Sequence, residues 1–337
     1  MATRNNTTTL QQEQTKDKQY PPRTRNVLSV QSHVVHGYVG NKAATFPLQF
    51  RGWNVDTVNT VEYSNHPGYG SFAGYKSSSD TITTIIEKGL LSGLEIAYDS
   101  ILIGYMSNIE TLTKVSTIIG SYCKKNKNVR WIIDPVLGDE GKLYVPSETV
   151  NEYKNILKHN NIFLTTPNQF EMELLTGVQI DSLETLRLSF KKFHELYPNV
   201  KNIVITSIEI SETKETGTML SACSITEEIE TINCFTVPKI NAKFNGSGDL
   251  FTALLMDSLI PNGINDTSVP NLAASLSKVL YLMDKILRKT YQLSVPSETS
   301  MQMEHNIINI KDLKLIESRD ILALGNIDDH LPKSYLI

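Results

Sequence analysis

The sequence predicts an α/β fold: a central, mostly parallel β-sheet with helices on both faces. Short apolar runs alternate with stretches of helical periodicity along most of the chain, which is the pattern of βαβ units. Several of the runs, such as Val27-Leu28-Ser29-Val30, read as buried strands. Polar and glycine-rich residues follow one strand after another, where sheets of this kind bind their ligands.

Residues 1–22 are rich in Thr, Gln and Asn and end in Pro21-Pro22, so they predict a disordered tail before a single domain over 23–337. After the Val27–Val30 strand, Gly40 to Phe50 has a helical pattern that Pro47 must end or kink. Asn54 to Val61 alternates and predicts a second strand. Further strands are expected at Ser100–Gly104, Val129–Ile133, Ile162–Leu164 and Ile203–Thr206. Helices are expected between them at Asp80–Leu91, Ile109–Lys125, Ser147–His159 and Leu183–Leu196. In the last, Leu183, Leu186, Phe190 and Phe193 recur at spacings of three and four. From Thr218 to Val237 two extended runs lack an intervening helix, which predicts an antiparallel hairpin at a sheet edge. A long helix is expected from Ser268 to Lys289.

Composition narrows the function classes. The 337 residues carry a net charge of -4, which argues against a nucleic-acid partner. A content of 40% hydrophobic and 20% charged residues suits a soluble protein, and no apolar run has the length of a membrane span. Cys123, Cys223 and Cys234 are three and widely spaced, with neither metal nor disulfide spacing, so a reducing compartment such as the cytoplasm is expected; the nucleus would also suit. His33, His36 and His66 have no acidic or cysteine cluster nearby to complete a zinc site and read as polar site or core residues.

The most informative segment is Gly246-Ser247-Gly248-Asp249, opening the apolar run Leu250–Leu255. Two glycines let backbone N–H groups face an anion, and the following helix adds its positive end. A carboxylate there repels phosphate but can take the proton of a hydroxyl attacking phosphorus. The same residues also suit a turn before a capped helix. Other strand ends offer Gln31-Ser32-His33, Asn65-His66-Pro67, Gly104-Tyr105, Asp134-Pro135, Thr166-Pro167-Asn168 and Thr206-Ser207. Each has a plainer alternative; Asn168 and Glu171, for example, fit a helix capping box.

The block Ser29-Val30-Gln31-Ser32-His33-Val34-Val35-His36-Gly37-Tyr38-Val39-Gly40-Asn41, continuing to Gln49, resembles the opening signature of pyridoxal kinases. Ser64-Asn65-His66, Asp134-Pro135-Val136-Leu137-Gly138-Asp139, Tyr144-Val145-Pro146, Thr166–Glu171 and Gly246–Asp249 extend the resemblance in order from about Arg25 to Asp320, most closely to the eukaryotic members. It implies a ribokinase-like fold, a homodimer, and transfer of the γ-phosphate of ATP to the 5′-hydroxyl of pyridoxal, pyridoxine or pyridoxamine. It implies Asp249 as general base, with the backbone of Gly246, Ser247 and Gly248 as anion hole. Ser32, Pro67 and Tyr105 match positions around the vitamin ring. Asp134, Asn168, Glu171, Thr206, Ser207, Ile240, Asn241, Ala242 and Ser247 match the ATP side. Asp139 matches a position associated with Mg2+ or another divalent cation. Asp134, Thr166 and Thr206 match residues near K+ or Na+.

Three departures stand out: Pro67 where relatives carry a hydroxyl residue, Ser247 in place of Thr, and a short Asp139–Tyr144 segment. Two rivals stay open. Hydroxymethylpyrimidine kinase shares the loop, and the Ser32–Gln49 block argues against it. A pyridoxal-phosphate carrier without turnover would not need Asp249 and Asp139.

Overall fold

In the computed structural model, residues 24–214, 216–261, 270–295, 307–324 and 331–337 are described. The expected tail therefore lies outside the described residues. The chain opens on β1 (Arg25–Val34), α1 (Gly40–Phe50) and β2 (Trp53–Tyr63). Then come a short turn of helix (Pro67–Tyr69), β3 (Gly74–Lys76), α2 (Ser79–Thr83) and a π-helical segment (Thr84–Gly93). The centre is β4 (Ser100–Ile103), α3 (Ile109–Lys125), β5 (Arg130–Ile133), a hairpin of β6 (Gly138–Asp139) and β7 (Lys142–Leu143), and α4 (Glu148–His159). β8 (Ile162–Thr165), α5 (Gln169–Thr176), α6 (Leu183–Leu196), β9 (Val200–Ile208) and α7 (Ser211–Lys214) follow, then β10 (Thr218–Ile225), β11 (Asn233–Pro238) and β12 (Ala242–Phe244). The last part holds α8 (Ser247–Leu259), α9 (Leu272–Ser294), β13 (Ile308–Ile310), α10 (Arg319–Leu322) and β14 (Ser334–Leu336).

Ten strands form one sheet in the order β14-β11-β10-β9-β8-β5-β4-β1-β2-β3. The six from β9 to β2 pair in parallel, and antiparallel strands complete both sides. This is the expected α/β, ribokinase-like sheet. Its two faces feed separate apolar layers. Leu28, Val30, Ile101, Ile103, Trp131 and Ile133 point to the layer of α3, α4 and α6. Val27, Leu102 and Ile132 point to the layer of α1, α8 and α9. Alternation along strands buried on both sides is the reason the sequence shows apolar runs there rather than clean amphipathic stripes.

Three expectations need adjustment. The Gly40–Phe50 helix is not one of them: α1 has the expected bounds, with Pro47 inside it rather than at its end. The missing N–H costs one intrahelical bond, and the buried face of Ala43, Ala44 and Leu48 still holds the turn in place. The expected Asp80–Leu91 helix is α-helical for only five residues before it widens into π geometry. The long C-terminal helix reaches Ser294, past Lys289. The β10–β11 hairpin forms, but it is not the sheet edge, because β14 pairs with β11 outside it.

Candidate active site

The Gly246–Asp249 loop sits where β12 enters α8. Gly246 has φ +81°, and a Cβ there would lie 1.9 Å from the Tyr38 carbonyl oxygen, so only glycine allows this approach. No side chain caps α8, so its first N–H groups remain for an anion. Asp249 does not cap its own helix. Its Oδ2 accepts from the backbone N–H of Gly40 at 2.8 Å, the first residue of α1, whose start also lacks a side-chain cap. The carboxylate thus stands between two helix N-termini. Burial pushes its pKa up to about 6, against the pull of the Gly40 N–H.

Asp134 directly follows β5 and is buried. Thr252 Oγ1 donates to it at 3.4 Å and lies 2.8 Å from Thr166 Oγ1. Burial, and then the neighbouring Glu171 and Asp249 charges, hold Asp134 well above the ordinary carboxylate range. Thr252 escaped the sequence reading, although it lies three residues after Asp249 and therefore on the same side of α8. The backbone N–H of Thr206 reaches the Pro167 carbonyl at 3.1 Å, which draws the end of β9 to this loop.

Asn168 and Glu171 form the capping box of α5, as one sequence alternative expected. They also grip the next loop. Glu171 Oε1 accepts from Leu137 N at 2.7 Å and Gly138 N at 3.3 Å, and Asn168 Nδ2 donates to the Gly138 carbonyl at 2.7 Å. Burial raises Glu171 to about 7, with these N–H donors opposing. Beyond Gly138, Glu140 and Gly141 both have positive φ, as a two-residue hairpin turn requires. Asp139 points outward, with Oδ1 accepting from Glu140 N at 2.9 Å. Glu140 pairs with Lys243 of β12, so the hairpin is tied to the strand that begins at Ala242 and directly follows Ile240 and Asn241. Lys243 was not singled out in the sequence.

On the other side, Ser32 sits where the β1–β2 register shifts between Gln31 and His33, a bulge that re-aims its side chain. Tyr105 follows β4 and is half-buried, with its carbonyl accepting from Thr60 Oγ1 at 3.1 Å. Pro67 is exposed in the turn that His66 caps through Nδ1. His33 pairs with Glu62 at 2.7 Å. Among the described residues no group of three or more His, Cys, Asp or Glu could hold a metal on its own. The cavities of about 390 and 370 Å³ beside Tyr281 and Lys158 lie away from this cluster.

The chain is similar to known proteins over nearly their whole length. The Saccharomyces cerevisiae protein BUD17, a pyridoxal kinase by provisional assignment, is 52% identical over 89% of this chain and 93% of its own. The Arabidopsis thaliana pyridoxal kinase is 36% identical over 87% of this chain and 92% of its own.

The chain belongs to the pyridoxal kinase family.

The pyridoxal kinase of Leishmania donovani in complex with ADP and pyridoxine superposes with a TM-score of 0.76 at 27% identity, covering 94% of this chain and all of that one. The broader sequence model of phosphomethylpyrimidine kinase matches residues 72–268. That match starts after the Ser29–Gln49 block, which is where the pyridoxal kinase resemblance is strongest.

Proposed function

We propose that this protein transfers the γ-phosphate of ATP to the 5′-hydroxyl of pyridoxal, and of pyridoxine and pyridoxamine, as a route of vitamin B6 salvage to pyridoxal 5′-phosphate. The observation that carries this is Asp249, held by Gly40 N–H beside the uncapped start of α8. A hydroxyl is a weak nucleophile until its proton has an acceptor. Gly40 takes Oδ2 and leaves Oδ1 to receive that proton. With its pKa raised to about 6, the carboxylate is both ionised at neutral pH and a better base than an ordinary aspartate. The backbone N–H groups of Gly246, Ser247 and Gly248 face charge that builds on the phosphoryl group. Ser32, Pro67 and Tyr105 shape the ring side. Asn168, Glu171, Thr206, Ser207 and Ile240–Ala242 shape the ATP side, with the side chains of Asn168 and Glu171 acting through the loop they hold.

Two cations suit the donors present. Asp134, Thr166 and Thr206 offer only oxygen, and none of the ion pairs among the described residues involves Asp134, so K+ or Na+ would meet a buried carboxylate that lacks a cation. Asp139 would hold Mg2+ together with ATP phosphates and water, the arrangement such a small, hard ion prefers. Bound there, it would supply charge neutralisation at the phosphates. A homodimer acting in the cytoplasm belongs to the same reading.

The deciding experiment follows phosphate transfer from ATP to each of the three vitamers, for wild type and Asp249→Asn. Asparagine keeps the Gly40 contact and removes the base, so turnover should fall by about 10²–10⁴-fold with both ligands still bound in calorimetry. An Asn variant near the wild-type rate removes Asp249 from the chemistry. A wild type that binds vitamers without turnover favours the carrier reading.

A further inference from the structure

We propose that Asp312 is a positioning residue for the vitamin side of the site, locking the loops after β1 and β2 to the phosphate loop; this rests on the pyridoxal kinase reading above. Asp312 follows β13, which pairs in parallel with β12 just before Gly246. Asn245 extends that pairing. Its N–H donates to the Ile310 carbonyl and its side-chain amide to the Lys311 carbonyl, both at 3.4 Å. The position of residue 312 is therefore tied to the segment that carries the anion hole.

From there the Asp312 carboxylate reaches two other loops. Its Oδ2 accepts a hydrogen bond from the Tyr69 hydroxyl and lies 3.6 Å from His36 Nε2. A Cβ at Gly37, where φ is +91°, would lie 2.3 Å from Oδ1, so the β1 loop closes directly on this carboxylate. Tyr69 is held on three sides: by Asp312, by Lys311 Nζ 4.6 Å from the ring centroid, and by the His36 ring edge-on at 6.1 Å. Partial burial and Asp312 push its hydroxyl up to about 12, so it stays a donor.

These contacts bear on the reaction through short chain distances. Tyr69 closes the single helical turn that begins at Pro67, and its N–H bonds the His66 carbonyl at 3.1 Å. Fixing Tyr69 fixes Pro67. Gly37 lies three residues before Gly40, which holds Asp249. The hydrogen bond and ion pair of the Asp312 carboxylate go to Tyr69 and His36, and not to the ATP-side residues Asn168, Glu171 or Ser207. Loss of the carboxylate should therefore loosen vitamin binding and leave ATP binding in place.

The test uses the full-length chain with pyridoxal varied at saturating ATP, and the reverse. Asp312→Ala should raise KM for pyridoxal about tenfold, the scale of one hydrogen bond to a charged group, with KM for ATP within about twofold. Asp312→Asn, which still accepts from Tyr69, should recover most of the loss. Tyr69→Phe should raise the same KM, and the double variant Tyr69→Phe/Asp312→Ala should be no worse than Asp312→Ala. An unchanged pyridoxal KM, an equal rise for ATP, or additive effects in the double variant would each overturn the role. If Asp312→Ala does not fold, Tyr69→Phe decides: no rise in pyridoxal KM overturns it. A wild type that phosphorylates no vitamer overturns the proposed function itself, whereas an active wild type with an indifferent Asp312→Ala overturns only this inference.

Discussion

Asp249 must be charged to act as the proposed base, yet its burial favours the neutral form and outweighs the pull of the Gly40 N–H. That conflict has a measurable consequence. In the unfolded chain the carboxyl titrates at its ordinary value near 3.8, and in the folded protein at about 6. Folding therefore penalises the ionised form. The penalty is absent below the ordinary value, grows as pH rises toward 6, and is complete above it. Glu171, raised to about 7, adds a penalty of the same sign over a slightly higher window. Asp249→Asn removes the charge, so its melting temperature should exceed that of wild type at pH 8 and the gain should shrink at pH 4.5. A gain that grows on acidification would show that the charge stabilises the fold. At the same scale, Pro67 offers neither a hydroxyl nor an N–H to the ring. Pro67→Thr should lower KM for pyridoxal by an amount matching one hydrogen bond, about 0.5–1.5 kcal/mol. No change, with a structure placing the ring far from residue 67, would end that idea.

Single elements join chemistry to stability. α8 holds Asp249 in its first turn and carries, two turns later, Asp257, which is buried and pairs with Arg25 at 2.9 Å and with Arg51. Trp53 Nε1 donates to the same carboxylate at 2.9 Å, and Arg25 also stacks over the Trp53 ring at 4.4 Å. One carboxylate thus fastens the far part of the helix to the starts of β1 and β2. Asp257→Ala would strand buried Arg25 without its partner, so it should cost about 3–5 kcal/mol in urea unfolding. A loss below about 1 kcal/mol would mean that water solvates the arginines as well as the carboxylate does. The β6–β7 hairpin presents Asp139 outward and is tied down by Glu140 and Lys243. Asp139→Ala should weaken the magnesium dependence of turnover and leave metal-free pyridoxal binding nearly intact; an unchanged magnesium titration would reduce Asp139 to a loop residue.

Across the whole molecule, a ten-stranded sheet separates two apolar layers, and residues within one strand serve both. Cys223 and Cys234 illustrate the consequence. They sit on adjacent strands yet belong to opposite layers, and both are free thiols. Burial pushes Cys234 up to about 12, which makes it a poor nucleophile. Residues 1–22 are rich in Thr, Gln and Asn and poor in apolar side chains. A chain lacking them should keep its melting temperature and turnover nearly unchanged. A fall of several degrees would show that the tail packs on the domain.

Local pattern was enough for much of this protein. Apolar runs and helical spacing located β1, β2, β4, β5, β8, β9, β10 and β11, with α3 and α6 matching their expected bounds, because burial of repeating side chains leaves a periodic trace; the two- and three-residue strands β3, β6 and β7 are too short to leave one. The Gly246–Asp249 loop was legible because glycine, a helix start and an acid are adjacent in the chain. What tertiary structure alone decided are the contacts between distant segments. Asp249 is held by Gly40, 209 residues away. Glu171 does what a capping box does, and only the fold shows that it also grips residues 137 and 138. Asp257 and Asp312 look like ordinary surface acids in the sequence, since nothing within a few residues marks them. Pairing a buried charge depends on which strands and loops arrive at the same place, and that is set by the packing of the whole sheet rather than by any local period.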